Sequence, residues 1–282
     1  MKLKKGWVLR GLAAAAAVVF AVVAYVYLTL PDVRILATEN PKTTAFMKLR
    51  EEQAAREGRK LRHQHQWVRY SRISKNLQRA VIVAEDSRFF DHEGVDIEEI
   101  RKSIEINMAK GSAIRGGSTI TQQLAKNLYL SPSKDPLRKL KELIIARRLE
   151  AALSKARIFE IYLNVIEWGD GVWGAESAAR LYFGVPASGL SRSQAALLAG
   201  AIINPRVLNP ARPNRRLLAR QRIILDRMGG VEPPAPPPLP VPSPEEGESD
   251  PAPDSTVPDE LPVPDESFPP VPGPADEAPP PL

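Results

Sequence analysis

Residues 11–30, GLAAAAAVVFAVVAYVYLTL, form twenty consecutive uncharged, mostly apolar positions. Wound as an α-helix at about 1.5 Å per residue, a run of this length reaches about 30 Å, the thickness of a bilayer's hydrocarbon core. It therefore predicts a membrane-spanning helix, and the rest of the chain must fall on one side of it or the other. Lys2, Lys4, Lys5 and Arg10 come before the run, and Tyr25 and Tyr27 lie near its far end. The positive-inside rule then puts residues 1–10 in the cytoplasm and everything after Pro31 outside. A cleaved signal peptide is the competing reading. Its apolar region is usually shorter, and no small-x-small cleavage site follows this one. An uncleaved, single-pass anchor is expected.

Three segments follow the anchor. Residues 31–66 are polar and charged, a juxtamembrane connector expected to begin folding near Thr43. Residues 67–230 alternate helix-like apolar periods with short Gly or Pro breaks. Residues 231–282 hold 20 of the 28 prolines and 12 of the 33 acids, with no Lys or Arg. Such a tail cannot bury enough apolar surface to fold, so extended, mobile chain is expected there. Without it, 21 acids face 39 basic residues, and the net charge of +6 conceals a body at +18. So basic a body predicts an anionic partner: nucleic acid, lipid headgroups or a phosphorylated substrate. The absence of cysteine excludes disulfides and thiolate metal sites. Within the body, Ile97, Ile100, Ile104 and Met108 follow the 3.6-residue period and stop at Gly111. Leu140, Leu143, Ile144, Leu149 and Leu153 make a second stripe. SRSQAALLAGAII reads as a helix N-capped by Ser191, with Gln194 closing a capping box. No convincing β-alternation runs through the body, so the fold class is mainly α.

Four stretches carry candidate chemistry. In AEDSRFFDHEG, a continuing helix would align Glu85, Phe89 and His92 on one face, and a carboxylate beside aromatic rings is desolvated toward the range of a general base. The plain alternative is a charged helix end with a hydrogen-bonded histidine. No two-His metal-ligand pattern is present. In RGGSTITQQLAKN, Thr119 and Gln122 form a capping box, and Gln122, Gln123 and Lys126 fall within one turn. A helix N-terminus beside a lysine is a natural anion site, though a capped helix with a polar face reads the same. In LRKLKELIIARRLE, Arg138 and Glu142 are an i,i+4 pair, with Lys139 and Lys141 beside them. In SKARIFEIYLNVIEWGDGVWGAE, Ile158, Ile161, Tyr162 and Val165 suggest a buried face, and the aromatic residues read as packing. RNA binding from basic and aromatic composition is a weak reading.

Together, EDSRFFDHEG, GGSTITQQLAKNLY, RKLKE and KARIFEIYLN stand in an order and spacing that resembles the family 51 peptidoglycan glycosyltransferases, from roughly Thr43 to Pro213. The EWGDGVWGAE stretch resembles the monofunctional biosynthetic branch, and after the body that ends near residue 230 a proline-rich tail rather than a transpeptidase domain is expected. The resemblance implies a bilobed, lysozyme-like glycosyltransferase domain on the periplasmic face of the bacterial inner membrane. It implies lipid II and the growing glycan chain as partners, with other wall-synthesis or division proteins as candidates and no nucleic acid. By the same resemblance Glu85 is the general base that deprotonates the acceptor 4-hydroxyl for inverting attack, building a β-1,4 glycan. Glu142 is the second catalytic carboxylate, orienting the diphosphate directly or through a divalent cation (Mg or Mn), with no cofactor obligatory. Ser118, Gln123, Lys126, Lys134, Arg138 and Lys139 match positions that contact substrate or shape the cleft. Lys134 stands where relatives often have Arg, Arg157 where they often have an acid, and Gln194 where Glu is common. The chemistry agrees, because a departing diphosphate builds negative charge that cations stabilise, whereas a glycosidase needs a second acid. A glycan-cleaving enzyme and a non-catalytic scaffold acting through the tail are the alternatives.

Overall fold

The computed structural model describes residues 5–60, 62–111, 117–130 and 136–230, so Lys134 and the 231–282 tail lie outside the described residues. Its first helix, α1 (Lys5–Thr29), contains the apolar run and leaves it unburied, as a lipid-facing helix would. The chain does not then trail off as a bare connector. Val33 and Leu36 are buried in the main core, and α2 (Ala45–Arg56) starts at Thr44, whose hydroxyl accepts from the Met47 N–H at 3.1 Å. Arg157 fastens this segment: its guanidinium donates to the carbonyls of Leu36 and Glu39 while pairing with Glu160 at 2.6 Å. Arg157 is thus a structural clamp.

The body continues through α3 (Lys75–Glu85), α4 (Ile97–Lys110), α5 (Ile120–Tyr129), α6 (Pro136–Ala152) and α7 (Lys155–Val165). After them come α8 (Ala175–Phe183), α9 (Arg192–Ala201) and α10 (Arg215–Arg227), giving ten α-helices among the described residues. The core centres on α7, which is buried without interruption from Ile158 to Val165 rather than along one face. Its polar residues survive there because each is satisfied. Glu160 accepts the Tyr70 N–H at 3.0 Å, and Asn164 makes a reciprocal pair with the Val68 backbone at 2.8 and 2.9 Å.

Three features depart from the sequence expectation. A small sheet exists: β1 (Gln64–His65) lies parallel to β3 (Val172–Trp173), which pairs antiparallel with β2 (Glu167–Gly169). Strands this short offer no alternation to read, and β1 meets β3 across more than a hundred residues, while β2 and β3 form a local hairpin. Next, α4 forms as the period demands and ends at Gly111 in the left-handed region (φ 62°), but its stripe is not core. Ile97 is 76%, Ile104 53% and Met108 77% exposed. Finally, α3 stops at Glu85, so Glu85, Phe89 and His92 do not share a helical face. Asp86 leaves the helix at φ −161°, ψ 80°, and residues 87–94 form turns and bends that end where the Gly94 carbonyl accepts the Thr119 hydroxyl at 2.7 Å.

At the junction of anchor and body, Arg148 on α6 donates to the Tyr27 carbonyl at 2.5 Å and the Leu30 carbonyl at 3.4 Å. Its guanidinium also sits 4.0 Å over the Tyr27 ring. A cation is thereby placed on the orphan carbonyls at the C-terminal end of α1.

Candidate active site

Two consecutive acids at the end of α3 take different partners. Asp86 is buried; its Oδ2 accepts the Ile120 N–H at 3.0 Å, and its Oδ1 faces His92 Nε2 at 3.1 Å. The positive N-terminus of α5 therefore already holds an anion from within the chain, and the capping box of Thr119 and Gln122 occupies further backbone donors. The free anion site expected there is filled by Asp86, with His92 bracing it.

Glu85, the last residue of α3, is part-buried and faces α5 and α7 instead. Gln123 donates from Nε2 to Glu85 Oε2 at 3.0 Å, and Tyr162 donates from its hydroxyl to Gln123 Oε1 at 2.9 Å. Burial pushes the Glu85 carboxyl above its ordinary range; the Gln123 amide, then Arg220 and Lys126, act against that rise, and Asp86 adds to it. A carboxylate so balanced is ionisable but basic, the property a proton acceptor needs. Gln122 does not join this face, because its side chain is buried in the capping box.

Gln123, Lys126 and Tyr162 also line a cavity of about 270 Å³, together with Arg50, Glu167 and Arg206. Arg50 pairs with Glu167 at 2.8 Å, and burial raises the Glu167 carboxyl despite that pairing. A larger cavity of about 650 Å³ lies elsewhere, at the anchor junction by Tyr27 and Arg148. None of the groups bonded to Glu85 lines it.

The second candidate carboxylate, Glu142, is buried on α6 at 3% exposure, which a solvated helix face would not give. Arg138 reaches its Oε2 at 3.2 Å and Lys139 its Oε1 at 2.5 Å. Both oxygens are thus capped by cations, a donor set unsuited to a divalent metal ion. No hydrogen bond or ion pair links this trio to Glu85 among the described residues. Ser118 is exposed in the turn before α5. Asp86, His92 and Asp96 do bring possible ligand atoms within 4.8 Å of one another. The Asp86 oxygens are already engaged, however, and the Arg88 guanidinium stands 3.7 Å from Asp96.

Reading the sequence missed Tyr162, Arg220 and the Arg50–Glu167 pair as neighbours of the site. The available signal for Tyr162 was one phenol hydroxyl in an otherwise apolar stripe, since a buried tyrosine needs a partner. Arg220 gave no signal, as it lies on α10 far along the chain and meets Glu85 only in the fold.

Comparison with known proteins bears on this geometry. A family model described as Transglycosylase matches residues 59–229. The biosynthetic peptidoglycan transglycosylase of Laribacter hongkongensis is 47% identical over 225 residues, covering 80% of this chain and 97% of the relative. That of Chromobacterium violaceum is 48% identical over 219 residues, covering 78% and 96%. That of Nitrosospira multiformis is 49% identical over 195 residues, covering 69% and 85%.

Proposed function

We infer the reaction from the premise that this chain belongs to the transglycosylase family: it is a peptidoglycan glycosyltransferase with a mainly helical, lysozyme-like fold. Its substrate is lipid II, which it joins to a growing β-1,4 glycan with inversion at the anomeric carbon and release of polyprenyl diphosphate. Glu85 takes the proton from the acceptor 4-hydroxyl. The freed oxygen attacks the donor's anomeric carbon from the face opposite the leaving diphosphate.

The observation that carries this reading is the Glu85 carboxyl itself, desolvated yet held by one amide donor and faced by Lys126 and Arg220. Charge then builds on the leaving diphosphate, and the basic α6 cluster suits that charge. Arg138 and Lys139 supply the cations, and Glu142 fixes their positions through its two ion pairs. Lys126, beside Glu85, and Ser118, exposed before α5, contact the substrate; Lys134, matched to the family by sequence alone, is a further substrate-binding cation. A preorganised contact of this kind is worth on the order of 3 kcal/mol, or about a hundredfold in rate. The donor set at Glu142 does not suit a divalent ion, so the proposed reaction runs without a metal step.

The anchor fits a single-pass protein of the bacterial inner membrane with N-terminus cytoplasmic and body periplasmic, the polarity that the basic residues 1–10 favour. The exposed apolar stripe of α4 suits a body that rests on lipid rather than standing clear of it. The deciding experiment is incubation of purified protein with lipid II. Wild type yields glycan polymer, and Glu85→Gln loses it. Polymer made by that variant at the wild-type rate refutes Glu85 as the base.

A further inference from the structure

Gln123 presents a chemical ambiguity to the base. Its side-chain amide has two ends of nearly equal shape and opposite character, and a half-turn exchanges them. With the NH₂ end toward Glu85, the ionised carboxylate is stabilised. With the carbonyl end there, two acceptors face each other unless Glu85 is protonated. Something must choose between these arrangements.

The choice lies with α7. Tyr162 is wholly buried, and its hydroxyl meets Gln123 Oε1 at 2.9 Å. Turning the amide over would take that acceptor away and strand a buried O–H. We propose that Tyr162 is a positioning residue for the reaction: its hydroxyl locks the Gln123 amide with the NH₂ toward Glu85, keeping the base ready to accept a proton. The proposal rests on Glu85 being that base. Burial, reinforced by Glu85 and Asp86, holds the phenol well above its ordinary range, so its proton stays in place as a donor. The other charged groups facing Glu85 are Arg220 on α10, Lys126 on α5 and its neighbour Asp86. From α9, which also packs on α3, Arg192 is turned instead to the Leu225 carbonyl at 2.7 Å.

The test is the pH dependence of kcat/KM for lipid II polymerisation in the full-length protein. The comparison covers wild type, Tyr162→Phe, Gln123→Ala and the double variant, with thermal melting as the check on folding. Tyr162→Phe is expected to fold, to lose roughly tenfold on the acid side for a hydrogen bond of ordinary net strength, and to approach wild type at higher pH. In the Gln123→Ala background the Phe substitution should add nothing. A loss uniform across pH, or one that simply multiplies with that of Gln123→Ala, reduces Tyr162 to packing and overturns the proposal. Glu85→Gln separates the two ideas. If the acid limb survives in that variant, the base assignment itself fails. If the limb depends on Glu85 but ignores Tyr162→Phe, only the positioning role falls.

Discussion

Glu85 and Asp86 carry the same functional group one residue apart, and the backbone turn between them decides what each can do. Asp86 finds a helix N-terminus and a histidine; Glu85 finds one amide and a partly desolvated pocket. The cost of that pocket should be measurable. Burial raises the Glu85 carboxyl, so the folded protein holds this proton more tightly than the unfolded chain does. Stability contributed by the site therefore falls as pH rises from the ordinary carboxylate value through the raised one. Glu85→Gln has no such loss: it should melt above wild type near neutral pH, by about 2–4 °C for each kcal/mol recovered, and converge with it in acid. Wild-type activity runs the other way, declining as pH drops through the raised value, with its acid limb above the usual carboxylate midpoint of about 4.3. Melting curves and rates on the same two proteins check both signs; a less stable Gln variant at neutral pH contradicts the desolvated reading. Glu85 itself was legible as a candidate because acid and aromatic residues crowd one short stretch. Its balance was not legible, since Lys126, Arg220 and Tyr162 come from three other helices.

At the scale of elements, what the sequence disclosed was local and what it withheld was not. The boxes at Thr119–Gln122 and Ser191–Gln194 are both formed, because a cap is decided within four residues. Gln194 completes its cap fully. The α4 period gave a helix that is present, but it did not say what covers the apolar face, since periodicity fixes a face and not its partner. The sheet was invisible because its strands are two or three residues long and β1 reaches β3 only through chain folding. That sheet nonetheless makes a sharp demand. Gly171, at φ 71°, closes the β2–β3 turn, accepts the Gln64 N–H at 2.9 Å, and would bring a Cβ within 1.7 Å of the Arg62 carbonyl oxygen. Gly171→Ala must move backbone as well as strain φ, so a loss of at least about 3 kcal/mol is expected in chemical denaturation. A variant that unfolds at the wild-type midpoint would mean that β1 does not dock against this turn.

For the molecule as a whole, the family match ends at residue 229, just where the basic, helical part gives way to the acidic, proline-rich sequence. Deleting 231–282 should leave lipid II polymerisation within about twofold of wild type, the spread expected of a change that touches no catalytic contact. A collapse of the purified enzyme's rate would instead give the tail a part in the reaction. The larger division, anchor then body, was plain in the sequence, but the joint between them was not. Arg148 grips the last carbonyls of α1 from the same helix that carries Arg138, Lys139 and Glu142. Less than two turns of α6, about 9 Å, separate the grip from Glu142. The anchor and the cation cluster are thus two arms of one stiff bar. Were α1 to tilt in a bilayer thicker or thinner than its own length, that tilt would reach α6 at the grip and arrive within two turns of the ion pairs that hold Glu142.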